Sequence, residues 1–311
     1  MLCASLEGKG KEILDLSPIK YPAYVSHKLD GIRAIVYNGE IVSRNLKPIP
    51  NKYIRSFFKG RHELEGLDGE LIVGEPNSPG CYRTTISAVM SEDGEPDFTF
   101  YVFDRVNLQD FPSRVREDRF TERLLAIDEV IQGFLLKSGE FSLKMAVLEH
   151  KVVGNVEELL DFEQNALENG YEGVIINSIN GVYKMGRSTL KEGYAIKLKR
   201  FSQDEAKVVG FTEQMENTNE KTESAIGLSE RSSHKDNMLP KDTLGALVVK
   251  SLGSGKLFSI GTGFDDATRK EIWRNQEAYL DRIVTFKHFE IGNYDVPRFP
   301  VFIGFRDESD M

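Results

Sequence analysis

An α+β fold in two parts is predicted by three observations. Short stretches rich in Val, Ile, Tyr and Phe recur between Pro22 and Lys199, interrupted by a few amphipathic helical patterns. The character of the chain changes near Phe201, where a new strand pattern is followed by a long polar stretch without apolar periodicity. After it, strand patterns resume around one helix, a content that suits a small five-stranded barrel of the OB type. The division falls at 1–200 and 201–311, with the polar stretch at about 212–242, and no internal repeat is present.

Residues 1–20 read as a short lead-in. Pro22–Lys28 and Ile32–Tyr37 read as two strands joined as a hairpin across Asp30-Gly31, and Ile41–Arg44 as a third strand. Asn51 to Gly60 has the pattern of a short helix, capped by Asn51, with Ile54, Phe57 and Phe58 inward and Lys52, Arg55 and Lys59 outward. Leu67–Val73 and Phe98–Asp104 are strands, the second built of aromatic and β-branched residues. Arg114–Gln132 and Val156–Asn169 are amphipathic helices with acidic outer faces. Strands return at Gly173–Asn177 and Tyr194–Lys199, giving a first domain of antiparallel sheet with flanking helices. In the second domain, strands are expected at Ala206–Phe211, Leu244–Val249, Lys256–Ile260, Ile283–Phe289 and Phe299–Phe305, with a helix at Asp266–Arg282.

Composition bounds the function. Nothing in the 311 residues approaches an apolar membrane span, so no membrane association is expected. Cys3 and Cys81 offer no framework of bridges, which points to a reducing intracellular compartment, and the five histidines lack metal-site spacing. A net charge of −9 argues on average against a nucleic-acid binder. Two stretches run against that average: Arg44–Arg61 carries six Lys/Arg and no acid, and Asn180–Phe201 six against Glu192 alone. Such stripes can concentrate phosphate affinity on one face.

The chemistry is carried by motifs in a fixed order. Lys28-Leu-Asp30-Gly-Ile-Arg33 places an amine able to attack phosphorus beside a turn glycine and a cation. Ser43-Arg44, Asp68-Gly-Glu70, Tyr101-Val-Phe103-Asp104, Glu172-Gly-Val-Ile175, Lys197-Leu-Lys199 and the basic-aromatic run Arg298–Arg306 follow. Taken singly each has a bland reading: Glu172 as a turn or salt-bridge partner, Phe103 as core, Lys197 and Lys199 as a solvated strand face. Their joint order fits transfer of AMP. Lys28 must be neutral to attack the α-phosphate, and the nearby cations Lys197 and Lys199 are expected to lower its pKa. They would also neutralise charge spread over the phosphate oxygens. Glu172 and Glu70 offer hard oxygens for Mg²⁺, and Phe103 a ring for adenine.

With these motifs in place the chain resembles the ATP-dependent DNA ligases, in particular the compact Chlorella virus type. The runs Tyr183–Gly193, Asn217–Thr222, Ser259–Asp265 and Arg298–Gly304 carry the likeness, which extends from about residue 15 onward. It implies a nucleotidyltransferase (adenylation) domain followed by an OB-fold β-barrel domain, and a reaction in three steps. Lys28 takes AMP from ATP, AMP passes to the 5′-phosphate of a nick in duplex DNA, and the 3′-hydroxyl displaces it. By the same likeness Asp30 belongs to the catalytic set with Lys28, Lys197 and Lys199. Arg33, Glu70, Phe103, Ile175, Arg298 and Arg306 join the nucleotide site, with Glu172 and Glu70 as supports for Mg²⁺, which Mn²⁺ can replace. Ser43, Arg44 and Lys47 are implied at the nick 5′-phosphate, and Arg187, Ser188 and Lys191 along the strand. The polar stretch Thr212–Asp242 is implied as a latch, mobile in the free protein, that closes on DNA. It holds seven acids against four Lys/Arg, so its grip would rest on Lys221, Arg231, Lys235 and Lys241 individually.

Two positions depart from the family pattern. Ser26 stands where many ligases place Glu or Gln to read adenine, and no late cation follows Arg306. Only 27 residues precede Lys28, too few for the nicotinamide-binding domain of NAD-dependent ligases, so ATP is the expected cofactor. Nicked double-stranded DNA is the expected partner of a monomer, and a viral or phage source is consistent with the likeness. An RNA ligase, an mRNA-capping guanylyltransferase and a non-catalytic nick-binding protein are the rival readings.

Overall fold

The computed structural model describes residues 1–9, 14–78, 80–106, 116–138, 144–223, 229–232, 237–291 and 296–306. The fold is α+β, and the chain divides into two compact units: Met1–Glu7 with Ile13–Lys199, and Gly8–Glu12 with Arg200–Met311. No helix among the described residues is long and apolar enough to cross a membrane.

In chain order the strands up to residue 199 are β1 (Ala4–Lys9), β2 (Ala23–His27), β3 (Ile32–Tyr37), β4 (Glu40–Ser43), β5 (Leu67–Val73), β6 (Phe98–Arg105), β7 (Arg116–Arg119), β8 (Met145–Val147), β9 (Lys151–Val153), β10 (Gly173–Ser178) and β11 (Val182–Tyr183). The strand β12 (Ala195–Asn217) begins in the first unit and carries the chain into the second. The first unit's helices are α1 (Lys52–Phe58), α2 (Cys81–Met90), α3 (Phe120–Ser138) and α4 (Val156–Glu168).

Two sheets organise the first unit. One runs β9-β2-β10-β12, antiparallel throughout. The other runs β4-β3-β5-β6-β8, antiparallel as expected except for the parallel pair β6–β8. Each sheet has its own core. Phe58, Phe98 and Phe100 gather with α1 and α3 residues on the second sheet, and Val25, Val174 and Leu198 with α4 residues on the first.

The expected β2–β3 hairpin is absent, because β2 pairs with β9 and β10 while β3 pairs with β4 and β5. Residues 28–31 instead cross from one sheet to the other. Gly31 is therefore not a hairpin glycine: a Cβ there would lie 2.3 Å from the carbonyl oxygen of Leu71, so only glycine lets the crossing pass so close to β5. This crossing puts Lys28 between the sheets rather than on a surface turn.

Local sequence accounts for several elements. Asn51 caps α1 by accepting from the Ile54 N–H at 2.9 Å, and its own amide donates to Ser91 O at 3.1 Å. The helix α2 lacks a helical signature, being rich in Thr and other poor helix formers. It buries Cys81, Thr85 and Val89, four residues apart, and tertiary packing overrides propensity. The lead-in contains β1, whose Ala4 and Leu6 are buried. Residues 116–119 of the expected first long helix form β7, and α3 begins at Phe120.

In the second unit the remainder of β12 pairs with β15 (Met238–Ser251) on one side and β17 (Ile283–Ile291) on the other. β16 (Leu257–Ile260) adds to β15, and β18 (Pro297–Phe305) to β17. The helices α5 (Asp266–Arg274) and α6 (Gln276–Tyr279) replace the single expected helix, broken at Asn275. The expected barrel is not closed by a ladder among the described residues. An isolated parallel bridge, Thr262–Val301, links the two ends of this five-stranded sheet.

The polar stretch 212–242 is not structureless where it is described. β12 runs on to Asn217, paired with β15 from Met238, and a short hairpin forms from β13 (Lys221–Glu223) and β14 (Ser229–Arg231). Polar bonds take the place of an apolar core. The Arg231 guanidinium donates to Asn217 O at 2.9 Å and Asn219 O at 2.7 Å, and Asn237 donates to the Asn219 side chain at 3.0 Å.

Phe100 is fully buried and meets Phe58 edge-on at 5.4 Å between centroids. Phe100→Ala is expected to cost about 3–5 kcal/mol through lost contacts and a cavity. Urea unfolding measures this; a loss below about 1 kcal/mol would mean the core refills the space.

Candidate active site

A cavity of about 320 Å³ opens in the first unit, and Lys28, Arg33, Arg44, Glu70, Phe103, Ile175, Arg187 and Lys197 all line it. Strand register explains their convergence. In the first sheet Ser26, Ile175 and Lys197 lie side by side on three neighbouring strands, so their side chains share one face. In the same way Lys199 stands opposite Gly173, whose carbonyl accepts the Lys28 N–H at 2.9 Å. Gly173 has φ +147°, and a Cβ on it would lie 2.3 Å from Leu198 O, which fixes glycine next to Glu172. From the second sheet come Arg33, paired across strands with Glu70, and Phe103.

The centre of the site is Glu172, whose two carboxylate oxygens accept separately from Lys28 Nζ and Lys199 Nζ. Burial alone would raise the Glu172 pKa, but the two ammonium groups outweigh it and hold the carboxyl down to about 2. For Lys199, burial dominates and lowers the pKa. Lys28 goes the other way. Burial works to lower it, yet Glu172, Asp30 and Glu70 together raise it above the ordinary lysine value. This reverses the expectation that neighbouring cations lower the Lys28 pKa, because a shared carboxylate stands between the two amines. Glu70 is half-buried, accepts from the Gly31 N–H at 3.2 Å, and is pushed by desolvation up to about 7.

Arg33 is held rather than free. Its Nε donates to Asp68 Oδ1 at 2.9 Å, Nη2 also meets Asp68, and Nη1 donates to the Met1 carbonyl. Tyr183 OH adds a bond to fully buried Asp68 at 2.7 Å, and the guanidinium carbon sits 5.4 Å from the Phe103 ring centroid. Asp68 stands inside the Asp68-Gly-Glu70 motif, so its position was legible while its partner was not.

The residues expected on DNA divide. Arg44 and Lys47 are exposed at the end of β4, where Ser43 Oγ accepts from the Lys47 N–H at 3.3 Å. Arg187 is exposed and donates to Cys3 O at 2.8 Å, and Lys191 is exposed. Ser188 is 1% exposed, and its N–H donates to Leu2 O at 2.7 Å. In the second unit Lys221, Arg231 and Lys241 are exposed, with Arg231 engaged in the hairpin as above, and Lys235 lies outside the described residues. Arg298 stacks near the Phe299 ring at 5.7 Å, and Arg306 donates to Glu205 Oε2 at 3.0 Å.

Among the lining residues that carried no usable motif are Phe120, Leu148, His150 and Asn177. His150 Nδ1 lies 2.8 Å from Leu148 O, and its Nε2 is buried without a partner among the described residues. Only the i, i+2 spacing of Ile175 and Asn177 on one strand face could have pointed to Asn177.

Comparison with known proteins places these features. The model of the ATP dependent DNA ligase domain matches residues 1–199, and that of the DNA ligase OB-like domain matches residues 238–306. The structure is similar to a Chlorella virus DNA ligase-adenylate, at 31% identity over 99% of both chains with a TM-score of 0.51. It also matches a Lig E DNA ligase in fold, at 22% identity over 98% of this chain and 100% of that one, with a TM-score of 0.64. A DNA ligase of Sulfurisphaera tokodaii is 25% identical over 210 residues, 61% of this chain and 32% of the relative. The match thus spans about a third of the length of that curated relative.

Glu70 generates a pH prediction. Its folded-state pKa, about 7, exceeds the ordinary glutamate value, so between the two the folded state binds more protons than the unfolded one. Stability is therefore lost as pH rises from about 4.3 through 7. Glu70→Gln should abolish that part of the slope. Urea unfolding of both proteins at pH 5 and pH 8 checks it, and an unchanged slope in the variant would assign the pH dependence elsewhere.

Proposed function

The chain belongs to the ATP-dependent DNA ligases, and we propose that it seals nicks with 3′-hydroxyl and 5′-phosphate ends in duplex DNA through a lysyl-AMP intermediate. The observation that supports this most is the buried Lys28–Glu172–Lys199 chain at the end of a cavity that also holds Lys197, Glu70 and Phe103.

On this reading Lys28 Nζ attacks the α-phosphorus of ATP. A nitrogen–phosphorus bond forms, the bond to the bridging oxygen breaks, and pyrophosphate leaves. The attack needs the neutral amine, whereas the salt bridge to Glu172 keeps Lys28 protonated; once Glu172 is engaged elsewhere the ammonium gives its proton to water and the freed lone pair attacks. Lys197 and Lys199 offset the charge that spreads over the phosphoryl oxygens. Phe103 and Ile175 sandwich adenine, and Glu70 accepts from the ribose. Arg33, locked to Asp68, acts as a fixed positive wall of the pocket, and Asp30 adds negative charge beside Lys28.

Among the described residues no three metal-binding side chains cluster. The donor set fits Mg²⁺ held by one or two carboxylates together with substrate phosphates, the arrangement this ion favours. Glu172 and Glu70 would hold it, and when bound it would neutralise charge on the triphosphate.

In the second step the nick 5′-phosphate oxygen attacks the lysyl-AMP phosphorus and frees Lys28. In the third, the 3′-hydroxyl attacks the 5′-phosphorus and AMP leaves. Exposed Arg44, Lys47, Arg187 and Lys191 would meet the DNA backbone. In our reading residues 1–200 are the adenylation domain and 201–311 the OB domain, of a monomer that works inside the cell. The polar insertion 212–242 would hold the duplex through Lys221, Arg231, Lys235 and Lys241, and Arg298 and Arg306 would close the nucleotide site in the first step.

Two variants test this proposal. Lys28→Ala should form no protein–AMP adduct with labelled ATP yet still seal a nick supplied already adenylylated; an adduct that persists in this variant would remove Lys28 as nucleophile. Arg44→Ala should keep self-adenylylation within about twofold while slowing AMP transfer to a nick about 10- to 100-fold, the scale of one lost charge-assisted contact. Equal loss in both steps would place Arg44 in the nucleotide pocket instead.

A further inference from the structure

Resting on the nucleotidyl-transfer reading above, we infer that Asn177 reads the base edge of the nucleotide and makes the site select adenine. Asn177 is only 7% exposed and lines the cavity. Among the described residues its carboxamide has no hydrogen-bond partner, although buried polar groups almost always have one. A buried amide left open in a cavity is a group waiting for a ligand.

Position along β10 says which part of the ligand. Phosphate chemistry gathers at the Gly173 register, where Lys28 and Lys199 meet Glu172. Ile175 lies two residues further and Asn177 four, roughly 7 and 13 Å along the strand. Sugar and base fill that distance. The wall around the far end supports a base: Phe103, Phe120 and Leu148 line the same cavity. Asn177 and Ile175 share a strand face, so a ring covered by Ile175 would present its edge to Asn177.

The chemistry then discriminates. A carboxamide can accept from the adenine 6-amino group while donating to N7, a bidentate match. Guanine presents two acceptors on that edge, O6 and N7, and would leave the Asn177 oxygen facing an oxygen. Ser26 faces Ile175 across the adjacent strand with a short hydroxyl side chain, so base reading falls to Asn177 on β10.

The test uses the whole chain and two labelled triphosphates, ATP and its 6-deamino analogue purine riboside triphosphate, with kcat/KM for protein labelling as the readout. The native protein should favour ATP by about 10- to 100-fold, the discrimination of one bidentate pair. Asn177→Leu should lose that preference, using ATP about as poorly as the native protein uses the analogue, with little further loss on the analogue. Asn177→Ala, tested alongside with thermal unfolding of each, guards against a misfolded leucine variant. A preference retained in the variants, or an equal loss on both triphosphates, would overturn base reading by Asn177. If the native protein takes label from neither, the nucleotidyl-transfer reading itself fails and this inference with it.

Discussion

Everything in the first unit turns on one carboxylate shared by two amines. Glu172 sits between Lys28 and Lys199, with all three side chains largely withdrawn from water. Removing one partner of such a group strands an uncompensated charge, so the three must be placed together. Their placement depends on backbone. Gly173 admits the neighbouring strand at a distance no Cβ would tolerate, and Gly31 does the same where the chain crosses between sheets. Lys28 is thereby delivered to the space between the sheets, already paired with Glu172.

A second layer of buried pairs holds the walls of that space. Arg33 and Asp68 join neighbouring strands of one sheet, and Tyr183 ties the β11 region to the same carboxylate. Arg123 on α3 binds Asp104 at 2.6 Å and Gly181 O at 2.9 Å, anchoring the same region from the helix side. Residues 184–193, which carry Arg187 and Lys191, leave directly from this anchored turn. Each pair satisfies its partner with more than one bond, as buried ions require. The exposed cations are left outside it, where a phosphate backbone can reach them.

The second unit relies on a different economy. Its core of Val208, Leu247, Val249 and Phe286 is apolar, and among the described residues its sheet is joined end to end by one bridge rather than a ladder. The inserted hairpin beyond it has amides and an arginine where a core would be. That chemistry can order a polar segment without burying apolar surface, and it leaves Lys221 and Lys241 exposed.

The sequence by itself determined which residue types stand at which spacing: the order of motifs singled out Lys28, Glu172 and the lysine pair 197/199, which the structure brings to one region because strand register aligns them. Periodicity also placed several strands within a residue or two, including Ile32–Tyr37 and Leu67–Val73. What only tertiary structure decided were the long-range pairings. Asp30-Gly31 has the local signature of a hairpin, and only pairing with other strands turns it into a crossing between sheets. Local propensity conceals α2, since packing of Cys81, Thr85 and Val89 makes that helix. The sign of the Lys28 shift likewise needed coordinates: sequence supplies nearby lysines, but whether they or a carboxylate stand next to the amine is set by strand register. Ser188 and Asn177 show the same limit in opposite directions, one a motif residue that is buried and the other an unremarked residue turned into the cavity, because facing depends on neighbours far away in the chain.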